Sequence, residues 1–144
     1  ACLEQRLGMP QVRVSAGCVE DDPDFRVFEN RLDAIVADVD SAGYARYLTD
    51  GIVRARYRNS TEKPEPIVPG QIYKYTLDLW ATGNLFKAGH QIRLYVSSSN
   101  FPRFNRNLNT GEATLGSTKS LVAKQTIYHD AQHQSALVLP VIPR

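Results

Sequence analysis

The sequence predicts an all-β domain, and three observations predict it. Short runs with a period of two recur from Asp33 onward, clusters of Gly, Pro and Asn separate them, and no stretch carries the apolar spacing of a long helix. A period of two places alternate side chains on opposite faces, as a strand with one buried face requires.

In chain order, residues 1 to 32 fit this pattern least and form an atypical N-terminal segment, with residues 33 to 144 as the sandwich domain. Within the segment only Val12 to Ala16 plainly alternates. Glu20, Asp21, Asp22, Pro23 and Asp24 read as an acidic turn, and Phe25 to Leu32 fits either a short helix or an added strand. Ala34 to Val39 is rich in Val, Ile and Ala and reads as a strand. Between Gly51 and Arg58, Val53, Ala55 and Tyr57 alternate with Arg54, Arg56 and Arg58, so a strand would gather three arginines on one face.

Ile72 to Trp80 has the clearest alternation: Tyr73, Tyr75, Leu77 and Leu79 face one way, and Lys74, Thr76 and Asp78 the other. Gln91 to Ser97 repeats it, with Ile92, Leu94 and Val96 against Arg93 and Tyr95. Leu121 to His129 and Ala136 to Ile142 complete a set of at least six strands. Asp40-Ser41-Ala42-Gly43, Thr49-Asp50-Gly51, Val68-Pro69-Gly70 and Lys87-Ala88-Gly89 read as turns, each offering a glycine for positive φ. The stretch from Ser98 to Ser117 is long for a loop in a compact domain, and such loops are commonly functional or packed against something else.

Composition bounds the function classes. With 144 residues, 42% of them hydrophobic and 22% charged, one core is expected. A net charge of +2 makes no field that argues for nucleic acid or an acidic membrane surface. No apolar run approaches the roughly 18 to 20 residues of a membrane-spanning helix. Cys2 and Cys18 lack the closely spaced Cys and His partners of a zinc site and read as reduced thiols, so a cytoplasmic location is expected.

Three stretches resemble a known family. Leu48-Thr49-Asp50-Gly51-Ile52-Val53-Arg54-Ala55-Arg56-Tyr57-Arg58 is the first. The most specific is Leu79-Trp80-Ala81-Thr82, then Phe86-Lys87-Ala88-Gly89-His90, then Val96-Ser97-Ser98-Ser99-Asn100-Phe101-Pro102-Arg103-Phe104. The third runs from Tyr128-His129-Asp130-Ala131 to Leu137-Val138-Leu139-Pro140-Val141-Ile142-Pro143. Together they are similar to the C-terminal domain of X-Pro dipeptidyl-peptidases and cocaine-esterase-like serine hydrolases, over about residues 35 to 144. The resemblance implies a jelly-roll β-sandwich of the galactose-binding type, attached to an α/β-hydrolase domain that cleaves X-Pro peptides, esters or acylated amines. Where the family pattern usually has an aspartate this chain has Asn105, so no carboxylate role is carried over to that position.

Catalytic machinery is not expected in these residues. The nucleophile elbow of such hydrolases is G-x-S-x-G, and no two glycines here stand four apart. Ser97, Ser98 and Ser99 lie at a strand end, where serines usually satisfy backbone groups. His129 and His133 with Asp130 between them could be a metal pair or a base and its carboxylate, but they lack the H-E-x-x-H pattern and read as surface histidines. His90, after Gly89, reads as a turn residue. Asp21, Asp22 and Asp24 lack the closing Glu of a calcium loop. No cofactor and no metal are expected, and Arg54, Arg56 and Arg58 read as a solvated face.

The candidate site is an interaction loop formed by Asn100, Phe101, Arg103, Phe104, Arg106 and Asn107, where aromatics and arginines crowd into a short span as they do in protein–protein anchors. Its alternative role is to plug the domain's own core with Phe101 and Phe104. Three functions follow as expectations: a non-catalytic accessory domain partnered by an α/β-hydrolase domain; a carbohydrate or small-ligand module using Trp80, Tyr95, Phe101 and Phe104; or a self-associating structural protein. The last would pair as a homodimer to cover an edge left open by missing first strands.

Overall fold

A computed structural model describes residues 10–19, 30–110 and 117–142. The acidic turn at Glu20 to Asp24, the Phe25 to Leu32 stretch up to residue 29, Cys2 and residues 111–116 of the long loop lie outside the described residues. The strands are β1 (Gln11–Val19), β2 (Arg31–Val39), β3 (Ala45–Arg54), β4 (Ile72–Asp78), β5 (Gln91–Ser97), β6 (Lys124–Tyr128) and β7 (Ala136–Val138). They form two antiparallel sheets, an all-β sandwich. One sheet runs β4-β1-β6 with β7 also on β1, and the other runs β3-β2-β5.

Alternation decides which side chains fill the space between the sheets. Val12, Val14 and Ala16 of β1, Leu32, Ala34 and Val36 of β2, and Tyr75 and Leu77 of β4 point inward, and with Leu79 they form the core. Burying each large aliphatic side chain is worth about 1.5–3 kcal/mol, so this layer is what holds the sheets together. Tyr73 and Leu94 pack at its margin, while Ile92, at the far end of β5, is half exposed.

β1 holds the centre of its sheet. Its Gln11 to Gly17 pair with Asp78 to Ile72 of β4 on one side. On the other, Ser15 to Val19 pair with Tyr128 to Lys124, and Gln11 to Arg13 pair with Val138 to Ala136. β6 and β7 therefore lie end to end along one edge of β1, interrupted by an excursion at 129–135. Buried Ser15 stitches the gap: its amide donates to Ser135 Oγ and its hydroxyl to the Gln134 carbonyl, both at 3.2 Å, while Ser135 Oγ donates to the Tyr128 carbonyl. Residues 11–19, read from the sequence as part of an atypical segment, are thus a central strand of the sandwich.

Two local expectations are corrected. Gly51 to Arg58 is not one strand: β3 ends at Arg54, and Ala55–Tyr57 form a 3-10 turn. The turn is fixed by the Ala55 amide donating to the Asn30 carbonyl at 2.7 Å and by Arg58, whose guanidinium donates to the Ala55 and Glu65 carbonyls and covers the Tyr73 ring. The three arginines therefore share no face. Thr49-Asp50-Gly51 is not a turn either, but lies within β3 opposite Val36, Ile35 and Ala34. A Cβ on Gly51 would come within 2.2 Å of the Asp78 carbonyl oxygen, so the glycine serves a close approach of β3 to the end of β4. The turns at Gly43, Gly70 and Gly89 are present, each glycine at positive φ.

Candidate functional site

β2 is buried along nearly its whole length on both faces. Its inward face is the core; its outward face is covered by neighbouring strands and by the loop that follows β5. On that outward face the register sets three rows across the sheet: Ile52, Asp33 and Ser97; Asp50, Ile35 and Tyr95; and Tyr47, Ala37 and Arg93.

The loop is tied down on buried charge. Arg103 Nε and Asn100 Nδ2 both donate to Asp50 Oδ2, the latter at 3.2 Å. Further along, Arg31 reaches out from β2 to donate to the backbone carbonyl of Asn105, and its Nε donates to Asp33 Oδ2 at 2.8 Å. Arg31 and Asp33 are both essentially inaccessible. Burial pushes the Asp33 carboxyl above the usual range, Arg31 pulls it down, and Asp50 repels it further upward. Burial, together with the hydrogen bond to Asp50 and its charge, raises the Tyr47 phenol, and the Asp50 contact raises Arg103. Tyr47, Asp50 and Arg103 therefore form one electrostatic unit spanning sheet and loop.

The six candidate loop residues fall as follows. Phe101 is exposed, with the Arg106 guanidinium 5.5 Å from its ring centre; its peptide bond to Pro102 is cis. Phe104 is half-buried with Arg103 over its ring at 5.5 Å, and its amide closes a turn onto the Asn100 carbonyl at 3.0 Å. Neither phenylalanine belongs to the buried core. Asn100 holds Asp50, and Asn107 donates to Asn109 Oδ1. Tyr95, of the sheet face, has Arg93 beside its ring. One guanidinium thus lies 5.5–6.0 Å from the ring centre of each of Tyr95, Phe101 and Phe104, while Trp80 is exposed.

Elsewhere, Ser97 Oγ donates to the Ser99 carbonyl and accepts its amide, a local strand-end role. Asp130 accepts the amides of Gln132 and His133, and these hold its carboxyl below the usual range against the opposing effect of burial. His133 Nδ1 lies 3.1 Å from Asp130, and the described residues bring no three His, Cys, Asp or Glu side chains together in a metal-binding cluster. Sequence reasoning missed His90, whose Nδ1 sits 2.8 Å from the buried Asp38. Asp38 also receives Arg46 at 3.1 Å and Asn84 at 3.3 Å. This cluster ties the 80–90 loop to β2 and β3, and no pattern local to His90 could reveal it. Among the described residues no helix is long and apolar enough to cross a membrane.

A two-sheet sandwich with no nucleophile elbow and a charge-anchored surface loop has the character of an accessory domain. The chain belongs to the family of the X-Pro dipeptidyl-peptidase C-terminal non-catalytic domain, whose model matches residues 7–138 and so takes in β1. It is 42% identical over 113 residues to the cocaine esterase of Rhodococcus sp. (strain MB1 Bresler), covering 77% of this chain and 20% of that protein. A putative serine esterase of Mycobacterium bovis is 30% identical over 122 residues, covering 73% of this chain and 18% of that one. Among solved structures, an α-amino acid ester hydrolase superposes with a TM-score of 0.72 at 25% identity, covering 94% of this chain and 23% of the other. An aminopeptidase from a marine sediment archaeon, Thaumarchaeota archaeon, gives the same score and identity over 90% and 22%. The chain spans about a fifth of the length of the curated relatives it matches.

Proposed function

We propose that this domain is the C-terminal, non-catalytic jelly-roll sandwich of a serine hydrolase acting on esters or X-Pro peptides, and that it docks on the α/β-hydrolase domain through the outer face of the β3-β2-β5 sheet and its 98–110 loop. The observation that carries the reading is the makeup of that face. Phe101, Tyr47, Tyr95 and Ile52 are exposed at 61%, 52%, 41% and 37% around the Asp50–Arg103 pair. Aromatics and arginine surrounding an already neutralised charge are the composition of an interface centre, and leaving so many apolar side chains in water is unfavourable. The relatives' remaining four fifths supply a partner large enough to cover it.

Two experiments test this. Exchanging the matching part of the Rhodococcus cocaine esterase for this chain should leave an active esterase, and F101D in the exchanged part should lower its thermal inactivation temperature. An unchanged inactivation temperature would remove this face from the interface. In the isolated chain, turnover of aryl esters or X-Pro anilides that disappears when one of its serines is replaced would overturn the non-catalytic assignment. A homodimer is the second reading, and light scattering on the same sample tests it.

A further inference from the structure

The opposite face of the sandwich carries a second, separate feature. Alternation in β1 turns Arg13 outward between the buried Val12 and Val14, and alternation in β4 turns Lys74 and Thr76 outward around Tyr75. The register pairs Arg13 with Thr76 and Ser15 with Lys74, so the two cations are diagonal neighbours on one face, about 7–8 Å apart at their Cα atoms. Along the other side of β1, the 129–135 excursion rises as a wall. Arg13, Lys74, Thr76, Gln132, Gln134 and Ala136 help to line a hollow of about 490 Å³, inside the span of small-molecule sites.

The charge in this hollow is unbalanced. None of its lining residues is a carboxylate, and neither Arg13 nor Lys74 has an ion-pair partner among the described residues. Two carboxylates stand just outside the hollow, Asp78 lying diagonal to Arg13 on the side away from Lys74, and both accept backbone amides. Asp130, at the root of the wall, accepts the Gln132 and His133 amides at 2.8 Å, and Asp78, one row beyond Thr76 on β4, accepts the Trp80 amide at 2.9 Å. Two like charges on adjacent strands repel each other, and an oxyanion between them converts that repulsion into attraction. Arginine offers a planar fork and lysine a point charge, both suited to oxygen anions, while the Thr76 hydroxyl and the side-chain amides of Gln132 and Gln134 add neutral donors.

We propose that this hollow binds a small, doubly charged oxyanion, either a phosphate or a dicarboxylate. The proposal is independent of the docking face, which lies on the other sheet. The test is a two-dimensional ¹H–¹⁵N NMR titration of the 144-residue chain with inorganic phosphate and with succinate at constant ionic strength, and with glucose as a neutral control. Saturable shifts confined to residues 13–15, 74–76 and 131–136 are expected from phosphate, succinate or both, and which of them binds identifies the source of the oxyanion. R13Q/K74Q should weaken binding about two- to thirtyfold, as loss of two exposed charge contacts predicts, while R13K/K74R retains it. Absence of saturable shifts with both anions, an equal response to glucose, or undiminished binding by a folded R13Q/K74Q variant would overturn the proposal. If R13Q/K74Q does not fold, loss of binding in R13K/K74R would overturn it and retention would support it.

Discussion

Substituting Gly51 by alanine tests how the two sheets meet. The added methyl would sit 2.2 Å from the Asp78 carbonyl oxygen, 3.1 Å from its carbonyl carbon and 3.1 Å from Leu79 Cδ2. Ordinary contact begins near 3.4 Å, so the oxygen must retreat by about 1.2 Å. That oxygen belongs to backbone at the end of β4, where the Leu79 amide is held by the Pro10 carbonyl at 2.9 Å and the Leu79 carbonyl by the Thr49 hydroxyl. It cannot swing away as a side chain would. Overpacking against a fixed backbone costs about 2–4 kcal/mol, at and beyond the upper end of what added methylenes cost in cores. For 144 residues the unfolding entropy is about 0.3 kcal/mol per degree, so the melting temperature should fall by about 7–13 °C. The assay is thermal and urea unfolding of G51A beside G43A. Gly43 has positive φ with nothing within 4 Å, so its variant should lose about 1–2 kcal/mol, from backbone strain alone. A G51A protein within about 0.5 kcal/mol of the parent would refute the close approach.

Two further outcomes follow from polar groups. Replacing Ser135 by alanine removes the acceptor of the Ser15 amide and the donor to the Tyr128 carbonyl, so urea unfolding should show a loss of about 1–3 kcal/mol, and unchanged stability would remove the stitch between β6 and β7. Burial raises the Asp38 carboxyl, but the hydrogen bonds from His90, Asn84 and Arg46 outweigh it and leave the group below its usual 3.8. Its stabilising effect is therefore complete above that value and is lost as pH falls through the lower folded value. Asp33, whose folded value is raised, acts in the opposite sense: its penalty appears as pH rises above 3.8. Urea midpoints measured from pH 2 to 6 should fall less steeply on acidification in D38N than in the parent, and parallel curves would contradict the cluster.

How much of this was legible in the sequence depends on how local each cause is. β4 and β5 were readable because alternation is a property of consecutive residues, and Lys74, Thr76 and Asp78 turn outward as their spacing requires. Val12 to Ala16 alternated visibly too, yet nothing within that run states that it pairs with β4 on one side and with both β6 and β7 on the other. The loop from Asn100 to Asn107 stood out by composition alone. Its anchor did not, because Asp50 and Arg103 are 53 residues apart in sequence.

By itself the sequence determined the all-β class, the glycine turns at Gly43, Gly70 and Gly89, the family resemblance and the absence of a nucleophile elbow, all written in adjacent or closely spaced residues. The tertiary structure decided the rest. It turned Gly51 from a turn residue into a point of sheet contact, ended β3 before the three arginines could share a face, buried Arg31 and Asp33 beneath a distant loop, and set Arg13 beside Lys74. Each of these depends on which strands lie side by side and in what register, and that is settled by burying the common core rather than by any one segment's own preference.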